Sequence, residues 1–467
     1  MLVLLVVCGI SFASSQALIH PPYPQYGTYD TDGITPLEYR QRRAAVRALM
    51  DSGSVAVFRA NDPDNRNGDV DYPFRQNSTF LYLTGCNETN STLILAPDGI
   101  RIDSITVADE ILFVGPHAKT WSGYTLGTEG ANRVLGFGAG GNQSIALATD
   151  KLKELLPQIL QSKKILYYTP SLPDFLFDPI SNIRFVAMRE VKKGLGEKFP
   201  QLVLKGSGSL VQDMRSVKSP GELSLMQKAI DVTVSGCVEA MKTCAPMMYE
   251  YELQAVIEYC YTRNGCEFSG FPAIIGSGPN TLNFHYEANR RQMNSGELVV
   301  MDIGAEYHGY AADVTRTIPV SGTYTSTQRE IYELVLRAQK SAIDEIKPGA
   351  PVSASRNRGM DVLGEGLRSL GILQDKSDVK KYCPHGISHF VGLDVHDVGS
   401  MTTLKPGMVL TMEPGLYIPD SSDCDKKYWG IGIRIEDDVL VTDNGRKILS
   451  DAAPRTADDI ERTMKNK

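Results

Sequence analysis

Leu298-Val299-Val300-Met301-Asp302-Ile303-Gly304-Ala305-Glu306-Tyr307-His308-Gly309-Tyr310-Ala311-Ala312-Asp313-Val314-Thr315-Arg316-Thr317 reads as two strands about a polar turn. Leu298–Met301 is a short apolar run of the length of a buried strand. Glu306–Gly309 is polar and ends in glycine, so it is read as the turn. A second strand follows, to about Val320. If these strands pair as a hairpin, the midpoint of positions 302 and 313 falls between Tyr307 and His308. Asp302 and Asp313 then face each other on one side, with Cβ atoms about 4.5–5.5 Å apart. Like charges at that spacing repel unless something positive lies between them, and a metal ion is the simplest such thing. The bland alternative is a pair of exposed acids at strand ends.

Three of the seven histidines fall within twelve residues: His385-Gly386-Ile387-Ser388-His389-Phe390-Val391-Gly392-Leu393-Asp394-Val395-His396-Asp397. Imidazole is the commonest transition-metal ligand, and three in an otherwise apolar, glycine-containing stretch are hard to dismiss as surface residues. Further on, the strand Met408–Met412 ends at Glu413-Pro414-Gly415, which leaves Glu413 at a strand mouth. In Gly430-Ile431-Gly432-Ile433-Arg434-Ile435-Glu436-Asp437 the isoleucines alternate with Gly432, Arg434 and Glu436. In a strand Arg434 and Glu436 share one face, either as an ion pair or as a ligand with its orienting partner. Asp302, Asp313, Glu413 and Glu436 as oxygen donors, with His389 as a nitrogen donor, suit two divalent ions sharing carboxylates. Such a set fits Mn, Co or catalytic Zn rather than a structural zinc site of Cys and His.

These motifs, in this order, resemble the Xaa-Pro aminopeptidase and prolidase family of metallopeptidases, which shares the pita-bread fold with methionine aminopeptidase. The resemblance covers nearly all of 215–455. A weaker likeness to the aminopeptidase P N-terminal domain rests on Asp71-Tyr72-Pro73-Phe74-Arg75-Gln76-Asn77-Ser78, Leu81-Tyr82-Leu83-Thr84-Gly85 and Trp121-Ser122-Gly123-Tyr124-Thr125-Leu126-Gly127. The resemblance implies that Asp302 chelates one metal, that Asp313 and Glu436 bridge both, and that His389 and Glu413 complete the second. Glu413 would also carry the proton to the leaving nitrogen. His285 and His396 would hold the scissile amide and the oxyanion, and His385 and Arg434 would orient the site. His308 is expected to be a turn residue, and His20 and His117 show no motif.

The resulting expectation is an α/β (α+β) chain: an aminopeptidase P-like domain over 33–200, then a pita-bread catalytic domain over 215–455, with the boundary near residue 214. The implied activity is release of an N-terminal residue that precedes proline. The implied cofactors are two divalent ions, Mn first, with Co or Zn as alternatives. The implied partner is a peptide with proline second, and the implied assembly a homodimer or homotetramer. Two alternatives stay open. A prolidase would cut Xaa-Pro dipeptides only; a non-catalytic pita-bread binding protein would have lost ligand positions.

Outside the motifs the chain reads as follows. With 467 residues, 42% hydrophobic and 22% charged, it has the composition of a globular protein of two or three domains. A net charge of -7 without a long basic run argues against nucleic acid as main partner. The apolar run Met1–Phe12 is too short to span a bilayer, and Ala13-Ser14-Ser15 follows it. That is the pattern of a secretory signal over residues 1–17, although no Lys or Arg precedes it. A short uncleaved anchor and a mis-assigned start are the alternatives. Sequons at Asn77, Asn87, Asn90 and Asn142 accord with a secreted or periplasmic location only weakly. Beyond Cys8, seven scattered cysteines lack CxxC spacing; one or two disulfides or plain thiols both fit.

In the first domain a helix is expected from Thr35-Pro36 to about Ser52, and strands at Ser54–Arg59, Phe80–Thr84, Ser91–Leu95, Ser104–Val107 and Lys164–Tyr168. A helix over Ile145–Leu160 and a glycine-rich loop at 136–141 complete it. Ser219-Pro220-Gly221-Glu222 is a capping box that opens a helix to about Thr243.

Overall fold

The protein is described by a computed structural model covering residues 33–466, apart from 105, 121–122, 139–142, 169–192 and 401. The expected signal segment, His20, Trp121-Ser122, Asn142 and part of the glycine-rich loop lie outside the described residues.

The first helix, Pro36–Leu49, starts where its cap and proline place it: the Thr35 side chain accepts from the Glu38 amide. It lies beside a six-stranded mixed sheet. In spatial order the strands are Val203–Gly206, Ile165–Tyr168, Ser54–Arg59, Thr92–Arg101, Val107–Val114 and Ser144–Ala148. Three expectations in this domain are corrected. Phe80–Thr84 is not a strand but most of a helix, Ser78–Thr84, capped by Asn77 and ended by Gly85 in the left-handed conformation. A short apolar run has the same composition in a buried strand and a buried helix, and the Asn77 cap decides between them. The strand expected at Ser104–Val107 begins at Val107 instead, because the Asp103 carboxylate accepts from Thr106 N at 2.7 Å and closes a turn there. The helix expected over Ile145–Leu160 divides into the edge strand Ser144–Ala148 and the helix Asp150–Gln161. The first of these is drawn into the sheet by parallel pairing with Val107–Val114.

From residue 220 the architecture changes to strands wrapped by long helices. Pro220–Thr243 carries the full capping box, with Ser219 and Glu222 bonding reciprocally. Glu250–Arg263, Ser326–Asp344 and Val352–Ser369 are the other long helices. Four small antiparallel sheets lie among them, and two matter for the site. One is Ile274–Ser277, Leu298–Ile303 and Val314–Pro319; the other is Gly415–Ile418 with Ile431–Arg434.

The hairpin register differs from the simple midpoint reading by two residues. Asp302 pairs with Thr315 and Ile303 with Val314, while Tyr307 pairs with Tyr310. The connection is thus a two-residue turn of His308 and Gly309, both with positive φ (49° and 84°). Positive φ at both positions is the type I′ geometry that matches strand twist, and it is usually signalled by Asn-Gly or Asp-Gly rather than His-Gly. Because the slip is even, Asp313 keeps the face of Asp302, two residues along from its partner Thr315.

The seven described cysteines carry no disulfide, and all but Cys424 are buried. Among the described residues, no helix is long and apolar enough to cross a membrane.

Candidate metal centre

Five carboxylate and imidazole groups converge at the ends of these strands. Asp313, His389 and Glu436 each offer one ligand atom, all within 4.8 Å of one another. His389 Nε2 lies 3.5 Å from Asp313 Oδ2 and 3.5 Å from Glu413 Oε1. Asp302 joins through Arg434, whose guanidinium donates to Asp302 Oδ2 at 2.6 Å. Glu436 is tied to the hairpin twice: its amide donates to Thr315 O at 3.0 Å, and its Oε2 accepts from Thr315 Oγ1 at 2.7 Å. The strand Ile431–Arg434 therefore lies with its polar face on the hairpin, as the isoleucine alternation requires.

His389 and Glu413 are placed by backbone bonds between neighbouring segments. Thr411 N donates to His389 O at 2.8 Å, and Glu413 N donates to Ile387 O at 2.9 Å. His389 Nδ1 lies 3.0 Å from the Phe390 carbonyl. That acceptor places the ring proton on Nδ1 and leaves the Nε2 lone pair facing the carboxylates, the tautomer of a metal ligand.

The electrostatics fit a cation. Burial, then Glu436 and Asp302, drive the Asp313 carboxyl far above its usual range. Burial and Glu436 do the same to Glu413. Burial, with Asp302 next, pushes Glu436 up to about 8. Burial and the neighbouring His396 push His389 down to about 4, so it is neutral at pH 7. Moreover, Asp302 Oδ1 and Glu436 Oε1 are buried and accept no hydrogen bond. Buried carboxylate oxygens without donors are costly, and a divalent ion is the partner that satisfies several at once. The donor set of four carboxylates and one neutral imidazole fits such ions.

The remaining site candidates lie beside the cluster. His285 and His396 are exposed and His385 is half-buried. The His396 ring stacks on His389 with centroids 3.9 Å apart. His285 is close enough to lower the proton affinity of both His385 and His396, in each case second to burial or further down the order of causes. His385 Nε2 lies 3.0 Å from the Tyr417 hydroxyl, which also accepts from Arg434 Nη1 at 2.8 Å. By contrast His308 turns away to Glu267, 2.7 Å from Nδ1, and serves the turn. His117 lies in the first domain against Thr125 O.

Sequence reasoning missed Thr315, Tyr417 and Glu250. Tyr417 was within reach: Gly415 pairs with Arg434 and Tyr417 with Gly432, so Tyr417 continues the face that carries Arg434 and Glu436. Glu250 had no local signal. Its fully buried carboxylate accepts from Ser277 N, Ser277 Oγ and Asn280 Nδ2 and, on the other oxygen, from Arg291 N. It thereby holds both ends of the loop that presents His285.

Tyr417→Phe should lower kcat/KM about thirtyfold with the metal content unchanged, since two hydrogen bonds that orient His385 and Arg434 are lost at about 1 kcal/mol each. Steady-state kinetics beside metal analysis checks this; a loss of metal in step with activity would place Tyr417 in ion retention instead.

Comparison with known proteins agrees with this geometry. Residues 224–443 match Metallopeptidase family M24, and residues 39–167 match Aminopeptidase P, N-terminal domain. The chain is 36% identical to the Xaa-Pro aminopeptidase of Haemophilus influenzae over 444 residues, covering 91% of this chain and 97% of that protein. It is 32% identical to Xaa-Pro aminopeptidase 3 of Homo sapiens over 452 residues, covering 92% and 86%. Among solved structures, Escherichia coli aminopeptidase P with the inhibitor Pro-Leu superposes with a TM-score of 0.80 at 33% identity, over 92% of this chain and 98% of that one. Proline aminopeptidase P II from Yersinia pestis gives 0.80 at 34%, over 93% and 100%. With its aminopeptidase P N-terminal domain and its pita-bread catalytic domain, the chain belongs to the aminopeptidase P family of M24 metallopeptidases.

Proposed function

We propose that this protein is a metal-dependent Xaa-Pro aminopeptidase, hydrolysing the bond between an N-terminal residue and a following proline. The observation that carries the reading is the convergence of four carboxylates and one neutral imidazole, two of their buried oxygens lacking donors, with His285, His385 and His396 beside them. We assign Asp302, Asp313, His389, Glu413 and Glu436 as ligands of two divalent ions, Mn before Co or Zn. Ions held there supply Lewis acidity that brings the pKa of water toward neutrality. Glu413, with Oε1 facing His389 and Oε2 3.7 Å from His385 Nδ1, takes up the nucleophile's proton and delivers it to the leaving nitrogen. That delivery matters here because the proline imide has no N–H and a φ fixed near -65°. His285 and His396 hold the scissile amide and the developing oxyanion. Arg434, held between Asp302 and Tyr417, and His385 keep this arrangement in register. We further propose the domain division near residue 214, a secreted or periplasmic location suggested by the apolar run Met1–Phe12 and the small residues after it, and a homodimeric or homotetrameric state.

Product analysis tests the activity. Mn-loaded full-length chain is offered an Xaa-Pro dipeptide and an Xaa-Pro-Pro tripeptide, with and without chelator. Release of the first residue from the tripeptide, abolished by chelator, is expected. Cleavage of the dipeptide alone would make the protein a prolidase, and no product from either, with metal bound, would refute the substrate assignment.

A further inference from the structure

His396 sits on a stretch without helix or strand: residues 391–400 have no regular secondary structure. Yet it stacks on a proposed ligand and has to stay there. The acids that flank it, Asp394 and Asp397, take no part in the metal cluster. Their partners lie elsewhere, on the first domain and on the segment that joins the domains. Arg215 Nη2 donates to Asp394 Oδ2 at 2.7 Å and to Asp397 Oδ1 at 2.5 Å. Lys218 Nζ donates to Asp397 Oδ2 at 3.0 Å. Ser78 Oγ donates to Asp394 Oδ1 at 2.5 Å, and Arg75 Nη2 donates to Leu393 O at 2.5 Å. The Lys218 and Asp397 side chains are each 1% exposed and that of Arg215 is 4% exposed.

We infer that the first domain and the joining segment position the histidine that faces substrate: Ser78 and Arg215, acting through Asp394 and Asp397, fix His396 over the metal cluster. This rests on the function proposed above and on the role of His396 in it. One guanidinium bridging two acids three residues apart clamps the two residues between them, Val395 and His396. The Asp397 pairs are buried on both sides, while the Asp394 side chain is 42% exposed on its own side; such pairs add little net stability compared with apolar packing, and their part here is to fix geometry. A loop that needed only to be folded has its closures already in Asp397 N to Phe390 O at 2.8 Å and Ala311 N to Gly392 O at 2.8 Å. The converging donors add direction. They also give the first domain, which contributes no ligand, a part in the chemistry.

The test is a set of double-mutant cycles on the Mn-loaded full chain, with an Xaa-Pro-Pro tripeptide as substrate and metal content and Tm measured alongside. Asp394→Asn keeps the shape and removes the charge. It should lower kcat about tenfold or more while KM moves less than about threefold, and metal content and Tm should be retained. Ser78→Ala, a smaller change, should lower kcat about threefold. In a His396→Ala background each substitution should add less than about twofold, because the group being positioned is already gone. Equal losses with and without His396, or wild-type turnover in both single variants, would overturn the inference. Should Asp394→Asn fail to fold, Ser78→Ala decides by the same criterion. Wild-type turnover of His396→Ala alone would instead refute the role given to that histidine, and the inference with it. A normal tripeptide activity that ignores Asp394 and Ser78 would leave the aminopeptidase reading standing without it.

Discussion

Glu413→Ala will retain a folded chain and lose about three to five orders of magnitude in kcat/KM, combining the contributions of a metal ligand and a proton carrier. The two losses are separable in kind. Removing a ligand weakens ion retention, which excess Mn restores in part. Removing the proton carrier leaves the imide nitrogen without an acid, which no metal concentration repairs. Residual activity at saturating Mn therefore reports the second loss, and the difference from low Mn reports the first. Folding survives because Glu413 contributes little to the metal-free fold: its carboxyl is buried beside Glu436, and no side-chain hydrogen-bond donor to it is evident among the described contacts. Its backbone, not its side chain, ties to Ile387. Glu413→Gln separates shape from charge and should be nearly as inactive. Kinetics across Mn concentrations, with Tm of the metal-free variants, are the measurement; wild-type-like turnover of Glu413→Ala would sink the assignment.

Stripping the metal will reverse the response of stability to pH. In the metal-free chain, burial and mutual repulsion raise Glu436 to about 8, and also raise Asp313 and Glu413 well above the usual carboxylate range. A carboxyl whose folded pKa lies above its unfolded value holds a proton that the unfolded chain gives up. Its contribution is fully present below about 4.5 and is lost as pH rises through about 8. His389 works the other way, being lowered to about 4, but its contribution is complete once pH exceeds about 6.5. Between pH 6.5 and 8 the acids act alone. There the metal-free chain should lose about 2 kcal/mol for each carboxyl still protonated in the fold, or several degrees in Tm. The loaded chain, with those carboxylates ionised and satisfied, should not follow. Metal uptake will also release protons, and affinity will rise with pH. Calorimetry at pH 6.5 and 8.0, with and without chelator, checks this; parallel loaded and stripped curves would mean that the acids are not a protonated cluster.

The site was largely legible in the sequence because its residues stand out locally: acids beside strands that end in glycine or proline, and histidines spaced within one short segment. The helix starts at Thr35 and Ser219 were legible for a similar reason, since a capping side chain and a proline act over three residues. What was not legible depends on partners far along the chain. Asp302 faces Thr315 rather than Asp313 because His308-Gly309 adopts a turn that its residue types do not announce. Ser144–Ala148 became a strand through its neighbour in the sheet, not through its own pattern. Glu250 looks like any helix-opening acid until the loop it holds is seen, and nothing near Asp394 and Asp397 in the sequence points to Arg215, which lies between them in the fold.

The long-range bonds that hold the proposed ligands also set an order of events in the life of the chain. Asp302 meets Arg434 across 132 residues, and Thr315 meets Glu436 across 121. Contacts that distant form late, after the loops between them have closed. A growing polypeptide that has made only the hairpin holds two of the five donors, too few to retain an ion against water. Ion capture thus follows folding instead of guiding it. Until then burial favours the protonated forms of Asp313, Glu413 and Glu436, with protons as placeholders. Protein made without added metal should fold, be stored, and become active on later addition of the ion, with no need for refolding.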